Sequence, residues 1–236
     1  MRSVEDRRPA FVTIQEACRD WNDRLENRLP GYSVAFHPVR GGDGTTARCK
    51  HPSDFGNAVL VRDDLGFDVS RAVPHDLGSP DGYEKREVLC VRSESRRIVV
   101  CSTYLTVGND DEPLRVRRQE AAKVKGILAD YAGDTRFLGG DFNDDPLSAV
   151  ADNFYHPNYE YGAHGEFKEA DSPCGNEVKR GFRVWVAWIP CRSGESTHDQ
   201  GKIDLLFVPP AVHLDRADAT HATHSDHDPL WAGVQF

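Results

Sequence analysis

The sequence predicts one α/β domain built from packed mixed or antiparallel sheets. Many short strand-like segments, separated by clusters of Gly, Asp, Asn and Ser, occur with only two or three helical segments. Strands and helices do not alternate regularly, which argues against a doubly wound parallel sheet. A chain of 236 residues with 39% hydrophobic side chains can bury a substantial core, and we expect residues 1–236 to form a single domain.

The first helical pattern begins close to the amino terminus. Apolar residues recur at helical spacing from Ile14 to Leu29, and Pro30 and Gly31 then end the helix. Gln15 and Glu16 are therefore expected where a strand passes into this helix. Strand-like runs follow at 32–39, 56–62, 68–74, 86–93 and 96–105.

A second helix begins near Pro113 and ends near Gly133. Its basic residues are interpreted as a solvated face: Arg115, Arg117, Arg118, Lys123 and Lys125. The remaining third of the chain predicts a strand at 136–138, a short helix near 146–155, a strand at 202–208 and two final strands. The apolar run 182–189 is interpreted as a core or edge strand, with an exposed lip that grips an apolar substrate or membrane as the alternative.

Charge and hydropathy narrow the classes of partner. The 38 acidic and 29 basic residues leave a formal charge of -9, which repels polyanions at long range and disfavours a basic nucleic-acid platform. Bound divalent cations would neutralise an acidic cleft locally, so the argument is a weak one. No apolar stretch approaches the roughly 18 residues that a membrane helix needs, and the residues after Met1 do not resemble a signal peptide.

The six cysteines fall into three plausible disulfide pairs. Cys90 and Cys101 lie on two runs joined by a turn, so that they would face each other across a hairpin. The other pairs are Cys18–Cys49 and Cys174–Cys191. Six reduced, half-buried thiols are the alternative interpretation. Disulfides predict an extracellular protein, with an export signal that is not in the sequence as written.

The segment Leu138-Gly139-Gly140-Asp141-Phe142-Asn143 is the sharpest local signal of function. Two glycines let the backbone turn at the end of a strand and present a carboxylate and a carboxamide one residue apart. Asp141 and Asn143 could hold a water molecule and a cation together. A simple Asx turn that closes the strand is the structural alternative.

Two further segments contain a carboxylate and an imidazole that could act together. His227, between Asp226 and Asp228, could act as a base or an electrostatic partner at neutral pH. Asp204 interrupts an apolar strand, where an unpaired carboxylate would be costly. We expect Asp204 to pair with His227, because a carboxylate that fixes the tautomer of a catalytic histidine is a recurring arrangement. His221 and His224 alternate faces in an extended strand, which disfavours a zinc site with His227.

Gln15-Glu16, Gly-Asp-Phe-Asn at 140–143, Lys-Ile-Asp at 202–204 and Ser-Asp-His at 225–227 resemble the signatures of the endonuclease/exonuclease/phosphatase superfamily, in type and in order. The strand 56–60 resembles a further family strand, and the resemblance spans roughly residues 12–236. It implies a DNase I-like, four-layer αββα sandwich of two packed sheets. The implied activity is a divalent-metal-dependent phosphoesterase that hydrolyses a phosphodiester or phosphomonoester by in-line attack of water.

The resemblance also implies roles for individual residues. Glu16 would bind Mg²⁺, or Mn²⁺ as an alternative, and Asp226 would be a second or indirect ligand. Asp141 and Asn143 would hold the attacking water. His227, oriented by Asp204, would contact the phosphate and share the proton transfer. The substrate would be a phosphate ester: a small molecule, a lipid headgroup or a nucleic acid.

The sequence departs from the family at the strand before the long helix. Where most members have Thr-His-Leu, this sequence reads Thr103-Tyr104-Leu105. The apurinic/apyrimidinic endonuclease branch resembles it in placing a Tyr there, which implies that the Tyr104 phenol donates to a phosphate oxygen. The alternative is that Tyr104 only packs at a strand end.

The second departure concerns the amino terminus. Members begin with an Asn-bearing strand and a helix before the Gln-Glu motif, but only fourteen residues precede Gln15. We therefore expect this strand to be absent. A shortened or misplaced start, a strand supplied by a partner, or a repurposed site would each account for it. The alternative to a hydrolase is thus a family relative that binds or transforms a small molecule by acid/base chemistry.

Overall fold

The computed structural model describes residues 2–177, 185–186 and 189–235. The chain forms two compact units. The first comprises Met1–Tyr104 and Ile127–Arg136, and the second comprises Leu105–Gly126 and Phe137–Phe236. No helix within the described ranges is long and apolar enough to cross a membrane.

The α-helices of the described residues are α1 (Arg2–Arg7), α2 (Asp20–Arg28) and α3 (Asp111–Asp130). The residues before the Gln-Glu motif thus form the helix α1, and β1 then carries Gln15 and Glu16. The expected start of α2 near Ile14 is wrong, because strand pairing continues as far as Cys18. Ile14 and Cys18 have helical spacing although both lie in a strand. A bulge between Ile14 and Ala17 shifts the alternation of faces that would otherwise indicate a strand.

Six strands lie in the first unit: β1 (Phe11–Cys18), β2 (Tyr32–Pro38), β3 (Phe55–Arg62), β4 (Val73–Asp76), β5 (Glu87–Ser93) and β6 (Ile98–Tyr104). One antiparallel sheet has the order β1-β3-β2, and β4, β5 and β6 pair antiparallel in that order. The strand expected at 68–74 is replaced by a 3-10 turn at Val69–Arg71 followed by β4, because the side chain of Asp68 caps the turn.

The two sets of strands in the first unit pack face to face, with β3 against β5 and β6. Val59, Leu60 and Val61 of β3 are completely buried, as is Val91 of β5. This burial accounts for the nearly continuous apolar run in β3, which could not face water on either side. The two packed sheets expected from the sequence are therefore present in this unit.

The three predicted disulfides are confirmed: Cys18–Cys49, Cys90–Cys101 and Cys174–Cys191. Cys90 and Cys101 are direct partners in the β5–β6 ladder, as the hairpin argument required. Cys18 ends β1, so its disulfide ties the segment around Cys49 to the strand that carries Glu16.

The described part of the second unit contains β7 (Thr135–Asp141), of which residues from Phe137 onward belong to this unit, and six later strands. These are β8 (Lys168–Glu169), β9 (Trp185–Val186), β10 (Ile189–Pro190), β11 (Asp204–Val208), β12 (His213–Ala219) and β13 (Leu230–Gln235). β11 lies between β7 and β8 and is antiparallel to both, and β12 pairs with β13. Phe207 of β11 packs its ring on Phe142, Phe154 and Tyr155.

Three expectations in the second unit need correction or qualification. The short helix expected near 146–155 is wrong, since only a 3-10 turn forms at Ala151–Asn153. Arg117 does not lie on a solvated face: its side chain is buried and bonds the carbonyls of Thr106 and Gly108. Within the apolar run 182–189, β9 pairs with β10, and the rest of that run lies outside the described residues.

Candidate active site

A β-bulge presents Glu16 at the end of β1. The register between β1 and β3 shifts between Ile14 and Ala17, and Glu16 has a left-handed φ of 55°. The extra residue re-aims the side chain that would otherwise follow the alternation of the strand. Glu16 is exposed, while Gln15 donates from Nε2 to the hydroxyl of Ser102 on β6 at 2.9 Å. The Gln-Glu pair therefore has one anchoring member and one accessible carboxylate.

Tyr104 lies beside Glu16 in the first unit. Its phenol donates to Oε1 of Glu16 at 2.6 Å, so Tyr104 does more than pack at the end of β6. This bond restricts the carboxylate to a narrow set of orientations and occupies one of its two oxygens. The phosphate-donor role of Tyr104 remains a prediction, because the phenol has Glu16 as its acceptor in this structure.

Sequence analysis missed Arg86 and Glu84, which extend this cluster. The guanidinium of Arg86 lies 3.7 Å from the ring centroid of Tyr104, and its Nη1 donates to Glu84 at 2.7 Å. Burial raises the pKa of Glu84; the charge of Arg86 lowers it and the charge of Glu16 raises it. Charged residues before a strand are common, so no sequence feature singled out Glu84 and Arg86. Only the fold shows that Arg86 contacts Tyr104.

In the second unit, Asp141 and Asn143 form one compact turn after β7. Oδ1 of Asp141 accepts the backbone N–H of Asn143 at 2.8 Å, and Oδ2 accepts the side-chain N–H of Asn143 at 3.1 Å. Asn143 has a left-handed φ of 51° and also donates to the carbonyl of Leu105. The Asx turn proposed as the structural alternative is thus present, and it holds the carboxylate and the carboxamide side by side.

The predicted pairing of Asp204 with His227 is present. Nδ1 of His227 lies 2.8 Å from Oδ2 of Asp204. The hydrogen bond to Asp204 raises the pKa of His227 to about 9, against the opposing effect of desolvation, and the charges of Asp204, Asp141 and Asp226 add to the rise. Asp204 is also the direct ladder partner of Asp141 in β7. Asp141, Asp204 and His227 therefore form one electrostatic group.

Asp226 is exposed and adjoins His227 in the loop before β13. No hydrogen bond fixes its carboxylate among the contacts described for this loop, whereas the hydroxyl of Ser225 accepts the backbone N–H of His227 at 3.0 Å. Sequence analysis missed Thr197 and His198, which contact this loop and the start of β11. The turn-forming composition of residues 195–201 was the only sequence feature that could have drawn attention to these two residues.

The exposed carboxylates fit a hard divalent cation. Mg²⁺ prefers carboxylate and water oxygens, and Glu16 offers a carboxylate whose orientation Tyr104 restricts. In the second unit, Asp226 offers an exposed carboxylate of its own. One group of three metal-ligating residue types lies elsewhere in the described residues, at Cys18, Asp20 and His51. Cys18 is oxidised in a disulfide and provides no thiolate, so this group does not compete as a metal site.

The sequence profile of the Endonuclease/Exonuclease/phosphatase family matches residues 2–227. No curated protein sequence matches the chain significantly. Among solved structures, the catalytic domain of human Nocturnin with bound sulfate is similar at a TM-score of 0.70 and 15% identity. That alignment covers 100% of this chain and 83% of the other.

A humanized D. rerio TDP2 is similar at a TM-score of 0.68 and 12% identity, over 100% of this chain and 89% of the other. A mannosyl-6-phosphatase from Bacteroides thetaiotaomicron is similar at a TM-score of 0.62 and 17% identity, over 100% and 88%. These likenesses confirm the predicted fold class. Because the family profile covers nearly the whole chain, the protein belongs to the endonuclease/exonuclease/phosphatase family.

Proposed function

We propose that this protein is a divalent-metal-dependent hydrolase of phosphate esters. Membership of the family supports phosphoesterase chemistry in general. The observation that carries the proposal is the arrangement of Asp141, Asn143, Asp204 and His227 in the second unit. It combines a paired carboxylate and carboxamide with an imidazole that is held in its charged form.

The Asp204–His227 pair suits a phosphoryl group as its ligand. Asp204 occupies Nδ1 of His227, which leaves Nε2–H as the donor to a substrate. Because Asp204 raises the pKa of His227 to about 9, the ring carries positive charge at neutral pH. A charged N–H donor binds a phosphate oxygen more strongly than a neutral one. His227 would therefore bind the phosphoryl group and stabilise negative charge as the reaction proceeds.

Asp141 and Asn143 would hold the attacking water. The carboxylate accepts a proton from the water as its oxygen bonds to phosphorus, and the carboxamide of Asn143 orients the same water. The ester P–O bond breaks on the opposite side, and the leaving alkoxide takes a proton from solvent and departs as the alcohol. Glu16 would be the ligand of Mg²⁺, or Mn²⁺, that the first unit offers, and Asp226 the ligand that the second unit offers. The ion when bound supplies charge neutralisation to a phosphate ester.

The proposed substrates are a subset of the phosphate esters that this reaction could hydrolyse. The solved relatives include a mannosyl-6-phosphatase, and the formal charge of -9 disfavours long polyanions. We therefore propose a small phosphate ester or a lipid headgroup over duplex DNA. The three disulfides are compatible with an extracellular location, which we include in the proposal.

Turnover of bis(p-nitrophenyl) phosphate and p-nitrophenyl phosphate, with Mg²⁺, Mn²⁺ or a chelator, tests the proposal. Asp141→Asn should abolish metal-dependent turnover while leaving thermal unfolding nearly unchanged. Asp23→Asn, at an exposed position on α2, is the matched control and should turn over normally. Undiminished activity in Asp141→Asn would exclude this mechanism.

The second candidate is a relative that binds or transforms a small molecule without hydrolysing a phosphate ester. The bond of the Tyr104 phenol to Glu16, which engages the group expected to donate to a phosphate oxygen, is the observation that favours it. Calorimetry with Mg²⁺ and Mn²⁺ separates the two functions. Binding at millimolar or lower concentration that is lost in Glu16→Ala supports the hydrolase, and the absence of any heat supports the second candidate.

A further inference from the structure

Thr197 is a completely buried polar residue that belongs to none of the motifs discussed above. Its hydroxyl oxygen accepts two backbone N–H groups, from Ile203 at 3.2 Å and from Asp204 at 3.0 Å. These two N–H groups lie at the start of β11, where the antiparallel ladder with β7 begins. A single side chain therefore holds the backbone at the residue whose carboxylate bonds His227.

The backbone carbonyl of Thr197 holds the other partner of that pair. It accepts the N–H of Asp228, the residue after His227, at 2.7 Å. His227 itself lies in the loop between β12 and β13, which is closed at its base by the bond from Thr220 N–H to the carbonyl of Pro229. Thr197 thus joins the strand that carries Asp204 to the loop that carries His227.

His198 adds a contact with the imidazole. Its ring centroid lies 4.7 Å from that of His227, with the two planes inclined by 46°. Nδ1 of His198 accepts the backbone N–H of Gln200 at 3.0 Å, which fixes the orientation of the ring. The turn is closed by antiparallel pairing of His198 with Gly201. The turn therefore holds the ring of His198 in contact with the ring of His227.

We propose that Thr197 and His198 are positioning residues that set the geometry of the Asp204–His227 pair. The 2.8 Å contact joins a loop histidine to a strand carboxylate, and Thr197 bonds the backbone N–H of Asp204 and that of Asp228, next to His227. The proposal rests on the proposed function, in which this pair acts on the phosphoryl group. It assigns a positioning role to a segment that carries none of the residues proposed to hold the attacking water or the metal.

Thr197→Val tests the proposal, because valine keeps the shape of threonine and removes the hydroxyl. We expect kcat for a phosphate ester to fall by about 10- to 100-fold, the usual cost of losing a group that orients a catalytic residue, while KM changes little. Thr197→Ser restores the hydroxyl and should recover most of kcat. Thr223→Val, at an exposed threonine of the same loop as His227, should behave as the wild type.

A spectroscopic readout separates this proposal from the proposed function. The Nδ1–H proton of His227 that bonds Asp204 is expected as a low-field proton NMR signal, assigned by its absence in His227→Gln. The signal should persist in Thr197→Ser and be lost or broadened in Thr197→Val. If the wild type hydrolyses no phosphate ester but the signal responds in this way, the positioning role stands and the proposed function fails.

Two outcomes would overturn the positioning role. One is a Thr197→Val protein with an unchanged His227 signal. The other is a fall in kcat on Thr197→Val that is equally large in the Asp204→Asn background, since a residue acting through the pair has no further effect once the pair is broken. If Thr197→Val does not fold, His198→Ala at a half-exposed position removes only the ring contact, and the same signal must then broaden.

Discussion

Nδ1 of His227 lies 2.8 Å from Oδ2 of Asp204, a contact between residues 23 positions apart in the chain. It joins a loop residue to the first residue of β11. The aspartate carries the charge that holds the imidazole in its cationic form, and it orients the ring by engaging one nitrogen. The same strand position places Asp204 opposite Asp141.

Asp204→Asn should lower kcat by about 100-fold or more, because an amide neither holds the charge nor fixes the tautomer of His227. With the bond to Asp204 raising its pKa to about 9, the wild-type ring keeps its charge up to that pH. In the variant, activity should be lost at a lower pH as the ring deprotonates earlier. Rate measurements from pH 6 to 10 check both points; a profile that superimposes on the wild type would contradict this role.

Tyr104→Phe should weaken Mn²⁺ binding by about tenfold, a cost typical of losing a group that orients a metal ligand. The substitution removes the 2.6 Å bond to Glu16 and leaves that exposed carboxylate free to rotate. Calorimetry with Mn²⁺ measures the change. Tyr161→Phe, at an exposed tyrosine, is the control and should bind Mn²⁺ as the wild type does. Equal affinities in all three proteins would show that Tyr104 has no part in holding Glu16.

Glu87→Gln should make the stability of the protein less dependent on pH. Burial raises the pKa of Glu87 from 4.5 to about 8, and burial also lowers the pKa of His37, whose Nδ1 lies 2.6 Å from the Glu87 carboxyl. The folded protein therefore favours the neutral acid, and this stabilisation is complete below pH 4.5 and is lost as pH rises through 8. The loss should be on the order of a few kcal/mol.

Urea unfolding between pH 5 and pH 8.5 measures this dependence. The wild type should lose free energy of unfolding across the range by more than Glu87→Gln does. Glu94→Gln, at an exposed position after β5, should follow the wild-type curve. Parallel curves for the wild type and Glu87→Gln would mean that Glu87 is charged in the folded protein at neutral pH.

Arg117→Met should reduce the free energy of unfolding by about 3 kcal/mol, since it leaves a partly buried carboxylate without its cation. Arg117 bonds Asp144 at 2.9 Å and two carbonyls of the segment after Leu105. Arg118→Met, its exposed neighbour on α3, should have almost no effect. Chemical denaturation of the three proteins distinguishes these outcomes, and similar stabilities for both variants would contradict the role of Arg117.

The double variant Cys90→Ala/Cys101→Ala should be less stable than the wild type by about 3 kcal/mol, the chain-entropy value for a short closed loop. The two residues are 11 positions apart and face each other in the β5–β6 ladder. Thermal unfolding with and without reductant measures the effect. Reductant should lower the melting temperature of the wild type by more than that of the variant, which has no Cys90–Cys101 disulfide to lose. Equal stabilities of the wild type and the variant without reductant would contradict the prediction.

Local patterns account for the parts of the fold that were predicted correctly. The β5–β6 hairpin and its disulfide follow from alternation around one turn, and the long helix α3 follows from periodicity with a proline at its start. The start of α2 was placed too early because a bulge at Glu16 breaks the alternation that sequence analysis relies on. Arg117 was misplaced because its buried acceptors are backbone carbonyls, which no side-chain pattern records.

The sequence by itself determined the chemistry available to this protein. A tight turn brings Asp141 and Asn143 together, and their closeness could be inferred because they are near neighbours in the chain. The need of Asp204 for a polar partner could be inferred because its neighbours in the strand are apolar. Only the tertiary structure decided which other residues contact and position the candidate site side chains. Arg86, Thr197 and His198 act through contacts with distant segments, and such contacts depend on packing that local sequence patterns do not specify.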